Sequence, residues 1–309
     1  IYEGKRTKIV RWHSIDYAIK EILFLKKKFP VEFKYADIRD DTFTWRPLDQ
    51  IKLFCKRYKK EVGLPIRLLV DPKSVNKEKM DLLVDAGCIE VSMGIEADER
   101  VNKEIYHRNV SDEQVLKSTK LLNSYNDKVA VTYDVLGCNP YAEKEDILNL
   151  INLLRKIPKS YYLNICNLVL LPGTGLYYRA LDDGLIKNKK DTAIDLHYAA
   201  RAQHILLRKR NVYLNLILNL MRGLAINNKH GSLSNNALSF LTNRKRVDWH
   251  SKNPFVSVTF TRLLLGWDYA KYHFLIPLYV YSPKSLKKMY IKLRYPEDVH
   301  YRNLETVGA

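Results

Sequence analysis

The sequence predicts an α/β protein built on a parallel sheet. Three observations predict it. Short apolar runs bounded by turn residues alternate with segments of helical period, the alternation persists to about residue 186, and several of the runs end on an acid or a glycine. The clearest run is Val91-Ser92-Met93-Gly94-Ile95-Glu96, which closes on a carboxylate. In a parallel barrel the C-terminal strand ends form the mouth where such folds keep their chemistry.

Taken in order, the pattern gives helix 16–29 and strand 31–38, then helix 48–62 and strand 66–70. Helix 75–86 leads to strand 89–94, helix 111–123 to strand 129–136, and helix 144–157 to strand 161–171. Ser74 ahead of Val75, and Ser111-Asp112-Glu113, read as helix starts, a small polar cap followed by acids in the first turn. Beyond Ile186 the alternation stops. A helical run at 191–210, an apolar piece at 212–221, a linker-like polar stretch at 227–236 and an aromatic, basic tail at 254–281 follow. A boundary near residue 190 therefore separates a 1–190 core from a 191–309 region.

Charge is uneven. Of 52 Lys/Arg and 34 Asp/Glu, residues 201–309 hold 18 and five. That segment suits an anionic partner or a lysine-rich solvated surface, and the lack of a recognisable nucleic-acid motif disfavours nucleic acid. No apolar stretch is long enough to predict a spanning helix. Cys55, Cys88, Cys138 and Cys166 are widely spaced, with no C-x-x-C pair, which fits a reducing, cytoplasmic setting and indicates no metal site. Cys88 and Cys166 read as small core residues.

The strand ends carry the candidate chemistry. Asp40 and Asp41 lie just past the first strand, as metal, acid–base or ligand-hydroxyl groups, or as a turn or cap. Asp71-Pro72 forms an exit turn, and Glu96 has a functional and a structural reading of equal weight. Gly137 and Pro140 shape a tight loop before Glu143, which suits a helix cap. Pro172-Gly173 forms a turn that brings backbone close to a ligand or simply enters a helix.

In that order the features resemble the radical S-adenosylmethionine enzymes, in the branch joined to a cobalamin-binding domain. The matching residues are Val10-Arg11-Trp12-His13-Ser14, Asp40-Asp41-Thr42-Phe43, Asp85-Ala86-Gly87-Cys88 leading to Met93-Gly94-Ile95-Glu96, and His107-Arg108. Leu136-Gly137 with Pro140 and Glu143, then Leu171-Pro172-Gly173-Thr174 and Gly184-Leu185-Ile186, complete the set. The resemblance implies a partial (β/α)6 barrel of which strands two to six are present.

It also implies S-adenosylmethionine and a four-iron four-sulfur cluster, with cobalamin as a further candidate. The family's C-x-x-x-C-x-x-C motif is absent, and the resemblance places it upstream of Ile1, so the chain reads as a fragment without metal ligands of its own. Glu96, Gly94, Gly137, Pro172 and Gly173 are the positions implied for S-adenosylmethionine, and Asp40 and Asp41 for the substrate or cobalamin side. The implied activity is reductive cleavage of S-adenosylmethionine, driving radical chemistry or methyl transfer on a small-molecule or lipid-like substrate. An electron donor such as flavodoxin or ferredoxin is implied as well. The alternative is a non-catalytic barrel whose basic C-terminal region binds RNA or an anionic membrane surface. A metal-dependent hydrolase using Asp40 and Asp41 ranks third, for want of histidine ligands.

Overall fold

The structure is a computed structural model that describes residues 12–29, 31–40, 42–187, 211–259 and 263. Asp41, the helical run expected at 191–210 and most of the tail expected at 254–281 lie outside these residues.

All five expected strands are present: β1 (Ala36–Ile38), β2 (Ile66–Val70), β3 (Cys88–Glu96), β4 (Ala130–Gly137) and β5 (Tyr161–Asn167). So are the five helices: α1 (Ile15–Lys28), α2 (Leu48–Glu61), α3 (Lys77–Asp85), α4 (Asp112–Asn123) and α5 (Lys144–Lys156), with α6 (Gly175–Asp182) after β5. The first five strands pair in sequence order and every pair is parallel. Each crossover then steps the same way across the sheet, and right-handed crossovers that step one way put all the helices on one face. This is the winding of a barrel wall, as the sequence predicts, and not of a doubly wound sheet.

Alternation along the strands completes the argument. Val91, Met93 and Ile95 of β3 are fully buried, and they share one core with Ile51, Phe54, Met80, Leu83 and Ile151 of the helices. The intervening residues, among them Ser92, Gly94, Asp134 and Asn164, are half-exposed and form a polar face opposite the helices.

Local signals explain most element ends. Ser111 and Gln114 form a capping box at α4, and Glu143 and Asp146 form one at α5, giving Glu143 the cap its sequence position suggests. The α3 start differs from expectation. Asn76, not Ser74, caps it by accepting from the Lys79 amide at 3.0 Å, while the Ser74 hydroxyl pairs with Thr44 Oγ1 at 2.7 Å. β1 is shorter than the predicted 31–38 because it pairs only with β2, through three residues. β5 stops at Asn167 because Leu168 and Leu170 turn into a separate apolar cluster with Tyr177 and Ala180 of α6.

After α7 (Val212–Met221) the sheet continues through β6 (Gly223–Ile226), β7 (Lys229–His230) and β8 (Leu233–Ser234), all antiparallel. The stretch 227–236 is thus a hairpin and not the expected linker. Two-residue strands are too short to show a period, and the Asn, Gly and Ser content reports only the turns. Helices α8 (Asn235–Leu241) and α9 (Arg244–Lys252) follow. α7 is buried nearly all round, from Val212 through Leu218, as apolar residues on every side of it require. The chain divides into two compact units after Lys252. Among the described residues no helix is long and apolar enough to cross a membrane.

Candidate functional site

The polar face ends in a network at the C-terminal edge of β2 and β3. β3 carries a bulge there: Gly94 pairs with Asp134, but Glu96 pairs with Val135. Glu96 sits at φ +66, the left-handed region that non-glycine residues enter at a cost. The turn brings its carboxylate back over Gly94, where an added Cβ would collide with Glu96 Oε1. Gly94 is therefore required for the approach of a side chain of this protein.

The bulge is held from behind. One turn of π-helix, Val101–Ile105, presents the buried Asn102, whose amide donates to Ile95 O at 3.0 Å and Ala97 O at 2.7 Å. π-Helical turns concentrate at functional sites, where they redirect side chains. Asp98 accepts from the Val101 amide at 3.2 Å, and burial pushes its carboxyl up to about 6, with Asp146 adding to the rise.

Arg108 closes the network from the segment after that turn. Its Nη2 donates to Gly94 O at 3.2 Å and to Asp71 Oδ2 at 3.4 Å, and its Nη1 lies 3.8 Å from Glu96 Oε1. Nη1 is buried and makes no hydrogen bond. Asp71 is fixed in turn by Trp45 Nε1 at 3.2 Å and the Lys73 amide at 2.9 Å. Burial raises the Glu96 pKa, Arg108 opposes that rise, and Asp134 adds to it. Asp134 accepts from Ser92 Oγ and from Asn164 Nδ2, the latter at 2.7 Å, so one row of contacts crosses β3, β4 and β5.

The other expected positions fall elsewhere. Gly137 is buried at the end of β4, and the following amide, Cys138 N, donates to Asn215 Oδ1 of α7 at 2.7 Å. A cavity of about 20 Å³ beside Gly137, Asp98 and Tyr106 has room for one water. Gly173 is exposed with φ +92 and open space where a side chain would be, and Pro172 precedes it in the turn before the Thr174 cap of α6. Asp40 is engaged by Arg46, whose Nη2 and Nε lie at 3.1 and 3.3 Å, and Arg46 is itself 5% exposed. Asp40 thus neutralises a buried cation. Asp41 lies outside the described residues.

The thiols divide three to one. Cys55, Cys88 and Cys138 are buried, and burial pushes each up to about 12. Cys166 is exposed on the polar face, contrary to the core position expected of it. Even residues of β5 face the helix-free side, which apolar neighbours in sequence could not reveal. In the sequence Arg108 stands in the motif series without a role, and nothing marks Asn102. An arginine a dozen residues past a strand end carries no spacing signal, and Asn102 acts only through its burial.

No protein-family profile matches the chain. Oxygen-independent coproporphyrinogen III oxidase of Helicobacter pylori strain J99 is 25% identical over 198 residues, 62% of this chain and 42% of the relative. That of strain 26695 is 26% identical over 201 residues, with the same shares. Among solved structures, coproporphyrinogen III oxidase HemN of Escherichia coli, a radical S-adenosylmethionine enzyme, overlaps 66% of this chain and 45% of its own at a TM-score of 0.45 and 16% identity. This chain resembles the radical S-adenosylmethionine enzymes. The radical S-adenosylmethionine methyltransferase TsrM of Kitasatospora setae, solved with cobalamin and a [4Fe-4S] cluster bound, overlaps 55% of this chain and 34% of its own at a TM-score of 0.44 and 14% identity. These structural overlaps are partial, and the order of motifs and the sequence similarity carry the resemblance. The chain spans less than half the length of the curated relatives it matches.

Proposed function

We propose that this chain is the core of a radical S-adenosylmethionine enzyme and that the Glu96–Arg108–Asp71 network receives the cofactor. The observation that carries the reading is Arg108 Nη1, a buried donor without a hydrogen bond, held beside a carboxylate on a left-handed strand end. A buried guanidinium nitrogen without a hydrogen bond is costly and has room for an anionic or oxygen acceptor. S-Adenosylmethionine offers a carboxylate for Arg108 and an ammonium and ribose hydroxyls for Glu96, so the residues present fit it. When bound, it supplies the methyl or adenosyl group on which the proposed radical chemistry or methyl transfer depends. Gly173 leaves backbone open for a close approach, whereas the Cys138 amide after Gly137 is already taken by Asn215.

The residues present do not fit an iron–sulfur cluster. Among the described residues no three His, Cys, Asp or Glu side chains converge, and three of the four thiols are buried. Cluster ligands are assigned outside these residues, in line with the resemblance. A cobalamin-binding domain, a one-electron donor of the flavodoxin or ferredoxin type, a small-molecule or lipid-like substrate, and a cytoplasmic setting with peripheral membrane contact belong to the same proposal.

Titration of the chain with S-adenosylmethionine tests the assignment by NMR. The amides of Gly94, Glu96 and Ala97 should shift, and R108Q should abolish the shifts while leaving the rest of the spectrum intact. Equal shifts in wild type and R108Q, or shifts confined to other regions, would overturn the placement.

A further inference from the structure

We propose that the groove formed by α8 and α9 binds a single strand of nucleic acid, with bases stacking on Phe240 and Trp249 and phosphates meeting Lys245 and Arg246. The groove is open to solvent, with a volume of about 580 Å³. α9 turns back on α8 through Thr242-Asn243, and Asn243 Oδ1 accepts from the Lys245 amide at 3.1 Å, which fixes the first turn of α9. Val247 is buried beneath it. Phe240 is 60% and Trp249 52% exposed.

Two features make the groove a recognition surface and not a scatter of exposed rings. The Arg246 guanidinium lies 3.6 Å from the Phe240 ring centroid, and its Nε is buried without a hydrogen-bond partner. Behind it, His250 stacks on Tyr213 at 3.9 Å with the rings 6° from parallel, and Trp249 meets His250 edge-on at 4.9 Å. Trp249 is thus positioned by a ring and Phe240 by a guanidinium.

Charge selects the occupant. Residues 211–259 hold six Lys/Arg and a single acid, Asp248, which pairs with Lys144 of α5. Arg244 pairs with Glu145. Lys245 and Arg246, which line the groove, have no ion-pair partner among the described residues. Cations beside exposed rings are the pairing that unstacked bases on a phosphate chain satisfy, with little dependence on sequence. A duplex keeps its base faces covered, and an acidic peptide would leave the ring faces unmatched. The site joins Tyr213, Phe240 and residues 245–250 of α9 in space, so no linear motif announces it.

Fluorescence anisotropy of a labelled oligouridylate with the full chain tests this. F240A and W249A should each weaken binding at least about fivefold, as the loss of one stacked base does, while W249F retains it. K245Q should reduce the salt dependence by about one phosphate contact. Circular dichroism confirms that these surface variants fold. Unchanged affinity in F240A and W249A, equal affinity for a duplex of the same length, or loss in those variants of phosphatidylserine-vesicle binding but not of oligonucleotide binding would each overturn the proposal.

Discussion

The carboxylate of Glu96 occupies the volume that a side chain on Gly94 would need. The two positions are therefore one structural unit, and substitution at either is read through the other. G94A should destabilise the protein by roughly 1–3 kcal/mol, the range for overpacking, and displace the carboxylate. In the E96A background the same change should cost clearly less. A double-mutant cycle by urea denaturation measures that coupling, and additive effects would show that the carboxylate moves aside freely.

Glu96 also bears on ligand binding. E96A should weaken S-adenosylmethionine binding by about 1.5–3 kcal/mol, the range for hydrogen bonds to a charged group. Calorimetry with S-adenosylmethionine, comparing wild type and E96A, checks this. Wild-type affinity in E96A would leave Glu96 a purely structural role.

Asn102 holds two carbonyls of the bulge, and N102A should cost about 1–3 kcal/mol by leaving them unsatisfied. Hydrogen exchange at Ala97 and Val101 should accelerate more than exchange in α2. Uniform acceleration would indicate a global loss of stability and no local release of the β3 end.

Asp98 gives a pH signature. Its folded pKa is raised from 3.8 to about 6, so between those values the folded state binds more protons than the unfolded state. Its contribution is then greatest below about pH 4 and is lost as pH rises through about 6, on the order of 2–3 kcal/mol at about 1.4 kcal/mol per unit. D98N should flatten that limb of the stability–pH curve. An unchanged limb would place the titration elsewhere.

Thiol chemistry should follow burial. In the native chain a thiol reagent should modify Cys166 quickly and Cys55, Cys88 and Cys138 only on unfolding, since burial keeps those three protonated. Anaerobic reconstitution of this chain with iron and sulfide should give no four-iron cluster. Stoichiometric iron with the broad visible absorption of such a cluster would contradict this.

The parallel winding was legible because each β/α unit advertises itself locally: period, cap and turn lie within a dozen residues, as with Ser111 before α4. Glu96 was legible for the same reason, as the acid at the end of an apolar run. What closes around it was not. Arg108 reaches Asp71 and Glu96 across 37 and 12 residues of sequence, and the Asn215 bond to the Cys138 amide spans 77. The pairing of Asp40 with Arg46 was not legible, because nothing in the sequence marks Arg46 as a buried cation. The β7–β8 hairpin hid in polar composition because its strands are too short to pattern.

The antiparallel turn of the sheet at β6 makes growth one-sided. β5 is paired on both edges, to β4 and to β6, so the parallel series is capped there and a further strand of that series has only the β1 edge to join, the other edge of the sheet being the two-residue β8. A shortened chain ending near residue 190 would strip β6 from β5, leave the Cys138 amide without Asn215, and present a bare strand edge to other molecules. For anyone preparing this protein in pieces, the α7–β8 segment has to travel with the barrel wall, because the wall ends inside it.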